Sequence, residues 1–538
     1  MPVESPAAKD AEVGNGVLVV TTHCEYLATI PDDEYEAYRH DTFAVMVHVK
    51  APTLFAIDDE AGRTPLDLVA VLDVSASMVA GPTNKLQEAK RAMALVVNSL
   101  GPRDRLSVVV FSDDARRVVP PTRMSEHGKA TAKLAMESLV AGTGETKTTT
   151  NIRAGLDEAA KVVEECRRDN DVAAIILLSD GYDNHSASDR NLDTSTNTTE
   201  YNNNLVPPHL VSDGGLRCTP VHTFAFGSDH DEEALHGISS ATRGTFTFID
   251  NNNNNLQYAL ARCVGGLRSV TAQDVWIEAR CQYLDSSITA VKSGVYESTV
   301  ISEEGAEVYV GELYADEERR FLFFLDVPRE DEDGGDGDCY VGTRLITARC
   351  NYIDMATGQP VSVAPTTEYI KVARSTEVQV ERHRVEAADD VALAHVAAER
   401  GEYAEAGRIL AARREMVSRS TAVVSGDAKC KALAAELDEL RRRVMEEGEY
   451  RRAGRASLLA SMSAHAQQRG SATFATPAMR KVEELWEMRR RRQREAAPTK
   501  NGGSNDAHPA RSWLDARLAP RLSMLRRYMG RLVPFIKP

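Results

Sequence analysis

Three oxygen-bearing side chains alternate in Asp73-Val74-Ser75-Ala76-Ser77, and two further oxygen-rich stretches follow, Thr148-Thr149-Thr150-Asn151 and Ser179-Asp180-Gly181. Carboxylates and hydroxyls are hard ligands, so the chemistry they suggest is a divalent cation site. Mg²⁺ takes near-octahedral oxygen coordination and keeps several waters, which calls for oxygens from more than one loop. The alternative for Asp73 is a place in a helix N-cap region, and for Asp180-Gly181 an ordinary turn.

The elements that must carry these groups can be read around them. Residues 66–72 form an almost continuous Val-rich apolar run, interrupted by Asp67, as expected of a strand covered on both faces. A helix pattern follows over 85–100. Residues 171–178 (DVAAIILL) form a second buried-strand run that closes on Ser179-Asp180, and the Thr150-Asn151 turn opens a helix over 152–166. Strands are expected at 105–111, 221–226 and 245–249, with helical patterns around 134–139, 231–238 and 256–267. This alternation implies a doubly wound α/β sheet, and such sheets bind ligands at the carboxyl ends of their strands.

Residues 17–22 and 43–49 read as strands, the second with a period of two that suggests a half-buried sheet. Two strands are too few for a core and must pair with something later. From 269 to 374 the period is again two, in runs such as 275–277, 308–310, 321–327 and 345–349. The reading is an antiparallel β-sandwich completed by the two early strands, with the α/β domain inserted in it. From 377 onward the pattern is helical, with helices expected at 385–399, 403–416 and 428–445. The phrase AAERGEYAEAGRIL resembles one tetratricopeptide unit, but it does not repeat. These helices are expected to pack on the α/β or β domain. The division is a disordered N-terminus (1–15), N-terminal strands of the sandwich (16–64), the α/β domain (65–267), the β-sandwich (268–374), a helical region (375–487) and a basic, partly disordered tail (488–538). The Asn-rich stretch 182–215 reads first as a disordered polar loop and second as a gate over the site, and the acidic 330–338 as a solvated hairpin loop.

Taken together, Asp73-x-Ser75-x-Ser77, Thr150-Asn151-Ile152-x-x-Gly155-Leu156 and Leu178-Ser179-Asp180-Gly181 resemble the three parts of the metal-ion-dependent adhesion site of von Willebrand factor type A (vWA) domains. The resemblance implies hydroxyl ligands from Ser75, Ser77 and Thr150 and carboxylates from Asp73 and Asp180, direct or through water. The order of parts is similar to the plant vWA proteins of the wavy-growth family, where a β-region and a vWA-interacting (Vwaint-like) helical region follow the A domain. Residues 311–319 (GELYADEER), 226–231 (FGSDHD), 245–249 (TFTFI) and 425–427 (SGD) match that family, and the resemblance covers residues 17–485. Many of its members carry an N-terminal RING finger and are ubiquitin ligases. A RING needs paired Cys/His zinc ligands, and Cys24 is the only cysteine before Leu66. The chain therefore resembles a RING-less member, and ligase activity is not carried over to it.

With 538 residues, two to four domains are expected. The net charge of −16 argues against general nucleic-acid binding. Eight scattered cysteines without a CxxC pair give no zinc-finger or redox signature. No secretory signal or bilayer-spanning run is visible, so a reducing, cytoplasmic setting is expected. The run RRRRQR (489–494) offers a nuclear-import or anionic-surface patch, and the Arg-rich apolar segment 513–537, broken by Pro520 and Pro534, a membrane-surface contact.

The function expected is a binding module and not an enzyme. Mg²⁺ (or Mn²⁺) at the sheet rim would keep one position for the Asp or Glu of a protein partner, with further contacts from the loops at 75–84, 142–150 and 182–215. The alternative is a RING-less recognition or dimerisation subunit of a ubiquitin ligase complex with a RING-bearing relative. A metal hydrolase ranks third, because the motif holds no His general base and His185 lies in the polar insertion.

Overall fold

A computed structural model of the chain describes residues 16–25, 43–53, 63–79, 84–142, 150–166, 172–180, 205–211, 218–226, 231–249, 256–282, 286–302, 304–327, 344–369 and 375–495. The first elements are β1 (Val19–Cys24) and β2 (Phe43–Lys50). The α/β part follows as β3 (Leu66–Asp73), α1 (Lys85–Ser99), β4 (Arg105–Phe111), β5 (Ala115–Arg123), α2 (Glu126–Glu137), α3 (Ile152–Cys166), β6 (Val172–Ser179), β7 (Val221–Phe226), α4 (Glu232–Ala241), β8 (Phe246–Ile249) and α5 (Leu256–Leu267). Then come β9 (Val270–Cys281), β10 (Ser287–Lys292), β11 (Glu297–Ser302), β12 (Gly305–Tyr314), β13 (Glu318–Asp326), β14 (Arg344–Asp354) and β15 (Gln359–Tyr369). The last helices are α6 (Thr376–Glu399), α7 (Tyr403–Arg419), α8 (Ala428–Val444), α9 (Arg455–Gln467) and α10 (Pro477–Glu495).

The α/β sheet has the order β5-β4-β3-β6-β7-β8, parallel except for β5, which returns antiparallel to β4. β3 is buried along its whole length between β4 and β6. Its alternate side chains serve two cores. Leu66, Leu68, Ala70 and Leu72 pack with Ala89, Met93 and Val96 of α1 and Leu260 and Val264 of α5. Val69 and Val71 pack with Ile152, Leu156 and Ala159 of α3 and Leu235 and Ile238 of α4. Full burial of a Val or Leu contributes roughly 1.5–3 kcal/mol, which is why both faces of this strand are apolar. Asp67, the interruption, is held by Arg105, whose Nε donates at 2.7 Å.

One part of the Asn-rich stretch departs from the expected polar loop. Leu205, Val206 and Leu210 are buried in the core beside α3 and α4, because these three apolar side chains find a partner surface there. Apart from 205–211, the stretch 182–215 lies outside the described residues.

The β-sandwich consists of a four-stranded sheet, β1-β2-β13-β10, and a five-stranded one, β11-β12-β9-β14-β15, both antiparallel. Val45, Val47, Phe321 and Phe323 of the first face Val275, Ile277, Ala348 and Cys350 of the second. The early strands thus complete the sandwich, and the doubly wound domain is inserted in it. β1 begins two residues later than its apolar run suggested. β2 is also more than half-buried. Its outer side chains Ala44 and Met46 are covered, with Leu322, by Val378 of α6.

In the helical region, Ala387, Val391, Ala394 and Ala398 of α6 pack with Leu410 and Val417 of α7 and Leu433 and Leu437 of α8. α9 lies against α4 and β8, where the Phe246 N–H donates to Ser463 Oγ at 3.0 Å and the free edge of the sheet is covered. Met479, Val482 and Trp486 of α10 enter the core beside α1 and α5. The helices therefore pack on both the α/β and the β part. Among the described residues, the cysteines are free thiols and no helix is long and apolar enough to cross a membrane. Residues 1–15, 330–338 and 496–538 lie outside the described residues, and 489–494 fall on α10.

Candidate metal centre

Asp73 is the last residue of β3 and is fully buried. Its Oδ1 accepts from the Ser75 N–H at 2.8 Å, an Asx-type turn that bends the chain off the strand. The bend brings Ser75 Oγ to 2.8 Å from Ser77 Oγ, and Ser77 Oγ donates to Asp180 Oδ1 at 2.8 Å. A hydroxyl has one hydrogen to give. That of Ser77 goes to Asp180, so Ser75 donates to Ser77. Asp180 follows β6 and is buried, and its neighbour Ser179 donates to Asp73 Oδ2 at 2.8 Å. Asp73, Ser75, Ser77 and Asp180 are thus one hydrogen-bonded set at the carboxyl ends of β3 and β6.

Thr150 reaches the same rim through its neighbour. The Asn151 N–H donates to the Ser112 carbonyl at 2.8 Å, one residue past the end of β4, and the Val74 N–H donates to the Phe111 carbonyl at 2.9 Å. The side chain of Asn151 accepts from the Ala154 N–H at 2.9 Å and opens α3. Thr150 is buried. Gly155 explains the rest of that motif. A Cβ there would lie 3.0 Å from both Phe111 Cδ1 and Val71 Cγ1, so a glycine lets α3 sit directly on the strands that carry the rim. Gly142, at φ +66°, donates to the Val74 carbonyl and brings a further loop to the site.

The electrostatics are those of crowded carboxylates. Burial pushes the Asp73 carboxyl up to about 6, against the hydrogen bonds from Ser75 and Ser179 that pull it down, and the Asp180 charge pushes it further up. Among the described residues, one cation answers them. Lys85 Nζ lies 2.6 Å from Asp180 Oδ2, with 14% of the lysine side chain exposed. Sequence reasoning passed over Lys85, and it quoted Ser179 within the motif without giving it a role. Lys85 left a signal, since a basic residue at the first position of a helix opposes the helix dipole and needs a compensating acid. The donor set, two carboxylates and the hydroxyls of Ser75 and Ser77, with Thr150 at the same rim, fits a hard divalent cation. A cavity of about 320 Å³ opens elsewhere, between β13, α6 and α8, and shares no residue with the rim.

The von Willebrand factor type A domain family model matches residues 67–262, and the model described as VWA / Hh protein intein-like matches residues 427–484. Residues 67–262 are a von Willebrand factor type A domain, and domains of this class are protein-interaction modules. The chain is similar to the wavy-growth proteins of Arabidopsis thaliana. E3 ubiquitin-protein ligase WAV3 is 30% identical over 431 residues, 76% of this chain and 51% of that protein. Probable E3 ubiquitin-protein ligase WAVH2 is 28% identical over 421 residues, 75% of this chain and 52% of that protein. The chain spans about half the length of these relatives. A solved von Willebrand factor type A structure from Catenulispora acidiphila shares the fold at a TM-score of 0.57 and 16% identity, over 84% of this chain and 98% of that one.

Proposed function

We propose that the chain binds a protein partner through a divalent cation, Mg²⁺ or Mn²⁺, held at the sheet rim by Asp73, Ser75, Ser77, Thr150 and Asp180. The observation that carries this reading is the hydrogen-bonded set of Asp73, Ser75, Ser77 and Asp180. When bound, the cation supplies a Lewis-acidic contact for an Asp or Glu of the partner. Asp73 and Asp180 provide the negative charge that selects a cation, and the three hydroxyls keep the set small enough for a hard one. The fold holds these side chains ready. The Asx-type turn fixes Ser75, and Ser179 fixes Asp73. With the cation removed, an acidic partner would face two carboxylates. Binding of Asp- and Glu-containing peptides in Mg²⁺ is compared with EDTA, and with Asp73→Ala and Asp180→Ala. Loss in all three supports the reading, and unchanged binding in all three rejects it.

A second reading is favoured by the relatives named as ubiquitin ligases, which match three quarters of this chain. Here the chain works within ubiquitin transfer as a recognition or dimerisation subunit beside a RING-bearing relative. An autoubiquitination assay of that relative, with and without this chain, tests it. No change in ubiquitination and no co-purification would rule this reading out.

A further inference from the structure

Lys85 is the first residue of α1, where the helix dipole already supplies partial positive charge. A lysine there is mildly unfavourable for the helix, and the contact its ammonium makes offsets that. It reaches Asp180 Oδ2 at 2.6 Å, while the other oxygen of that carboxylate accepts from Ser77. Its point of attachment is fixed, because the N-cap Asn84 accepts from the Gln87 N–H at 2.9 Å. Another basic side chain near the rim, Arg153 in the first turn of α3, is engaged by Asp157 of the same helix at 2.9 Å.

Two buried carboxylates in one hydrogen-bonded set repel each other unless a cation lies between or beside them. We propose that Lys85 is a tethered counter-cation of the adhesion site. Its ammonium neutralises Asp180 when no divalent cation is bound, and it must give up that oxygen for the site to be filled, so Lys85 sets the metal affinity. The proposal rests on the reading of the rim as a divalent cation site. A lysine suits the role better than an arginine. It is a compact point charge on a flexible four-carbon stem, able to leave one oxygen and swing to solvent, whereas a guanidinium would lock both oxygens in a fork. The same contact lets two buried acids fold side by side before any metal arrives.

The experiment is calorimetric titration of the full chain with Mg²⁺ and Mn²⁺, for the native protein, Lys85→Met, Lys85→Arg, and Lys85→Met combined with Asp73→Ala. Thermal melting is recorded in EDTA and in Mg²⁺. Lys85→Met is expected to bind the metal about tenfold tighter or more, as removal of one competing charge at a buried carboxylate implies. It is also expected to melt lower than the native chain in EDTA and to gain more from Mg²⁺. Lys85→Arg keeps the competing charge and gains none of that affinity. Binding seen only in Lys85→Met, and lost again with Asp73→Ala, also supports the proposal. Equal or weaker affinity in Lys85→Met than in a native chain that does bind overturns it and leaves the cation reading standing. No metal binding by either protein overturns both.

Discussion

Arg469 and Glu317 form a buried, two-pronged ion pair. The arginine Nε and Nη2 donate to the two carboxylate oxygens at 2.7 and 2.6 Å. The same guanidinium lies over the Tyr314 ring at 3.8 Å, and Arg319 approaches the carboxylate from the other side at 2.8 Å. The neighbouring residues extend the junction. Gln468 accepts from the Arg320 N–H at 3.0 Å and donates to its carbonyl at 2.7 Å, and Gln467 donates to the Gly244 carbonyl. One short segment at the end of α9 thus joins the helical region to the sandwich and to the α/β sheet.

Breaking this pair from one side leaves a charge buried with fewer partners, a change that typically costs about 3–5 kcal/mol. Arg469→Met is expected to lose that much in urea denaturation. Adding Glu317→Leu to it should cost less than the two single changes summed, because the second removes the stranded charge. A strictly additive double variant would show that the two residues act independently.

Acid should loosen the same junction. Burial alone would raise the Glu317 carboxyl, but Arg319 and Arg469 outweigh it and hold it down at about 2 instead of the ordinary 4.5. Burial, helped by Arg469, lowers His222 to about 3 from 6.5. Both folded values are depressed. The stability each contributes is present above its ordinary value and is lost as pH falls through the folded one. These two groups therefore pull the melting temperature down from pH 6.5, and more steeply below 4.5, against the raised Asp73 carboxyl, which gains stability as it protonates at about 6. His222→Asn, which keeps an acceptor for the Thr245 N–H, should flatten the upper part of that decline. An unchanged slope between pH 6.5 and 4.5 would count against the histidine as its source.

Metal addition offers a partner-free readout of the rim. A ligand that binds only the folded state, at a hundred times its Kd, adds about 2.7 kcal/mol. Mg²⁺ should raise the melting temperature of the native chain and leave Asp73→Ala and Asp180→Ala unmoved. An equal rise in all three would place the effect away from these carboxylates.

Gly155→Val tests the seat of α3. Its side chain would meet Phe111 and Val71, and forcing added methyl groups into a filled contact costs about 1–3 kcal/mol. Because α3 begins beside Thr150, metal affinity should fall together with stability. A variant as stable as the native chain would mean that α3 can lift without penalty.

Much of this was visible in the residues alone. The Val-rich run of β3 announces two covered faces, and Asp73, Ser75, Ser77 and Asp180 fall in the one set that the structure links by hydrogen bonds. Other elements left weaker traces. β5 carries Arg116, Arg117, Pro120 and Pro121 and lacks a hydrophobic period, because an edge strand needs only one neighbour. α9 buries Ser461, Ser463, His465 and Gln467 beside Leu458 and Leu459, so covered surfaces on several sides erase the amphipathic stripe. β2 gave a period of two and was expected to show one face to water. Nothing within β2 itself tells that α6 will cover it. Lys85 stands out against the dipole of its helix, but the acid it meets lies ninety-five residues away and is not named by its surroundings.

β2 pairs directly with β13, Val47 opposite Phe321, although the whole α/β domain is strung between them. On the ribosome, β1 and β2 emerge before the α/β domain, and β2 has no β13 to join until that domain has been synthesised. The nascent chain must therefore hold its opening strands in reserve while the insert closes on its own core, and the host sandwich is the last of the two to shut.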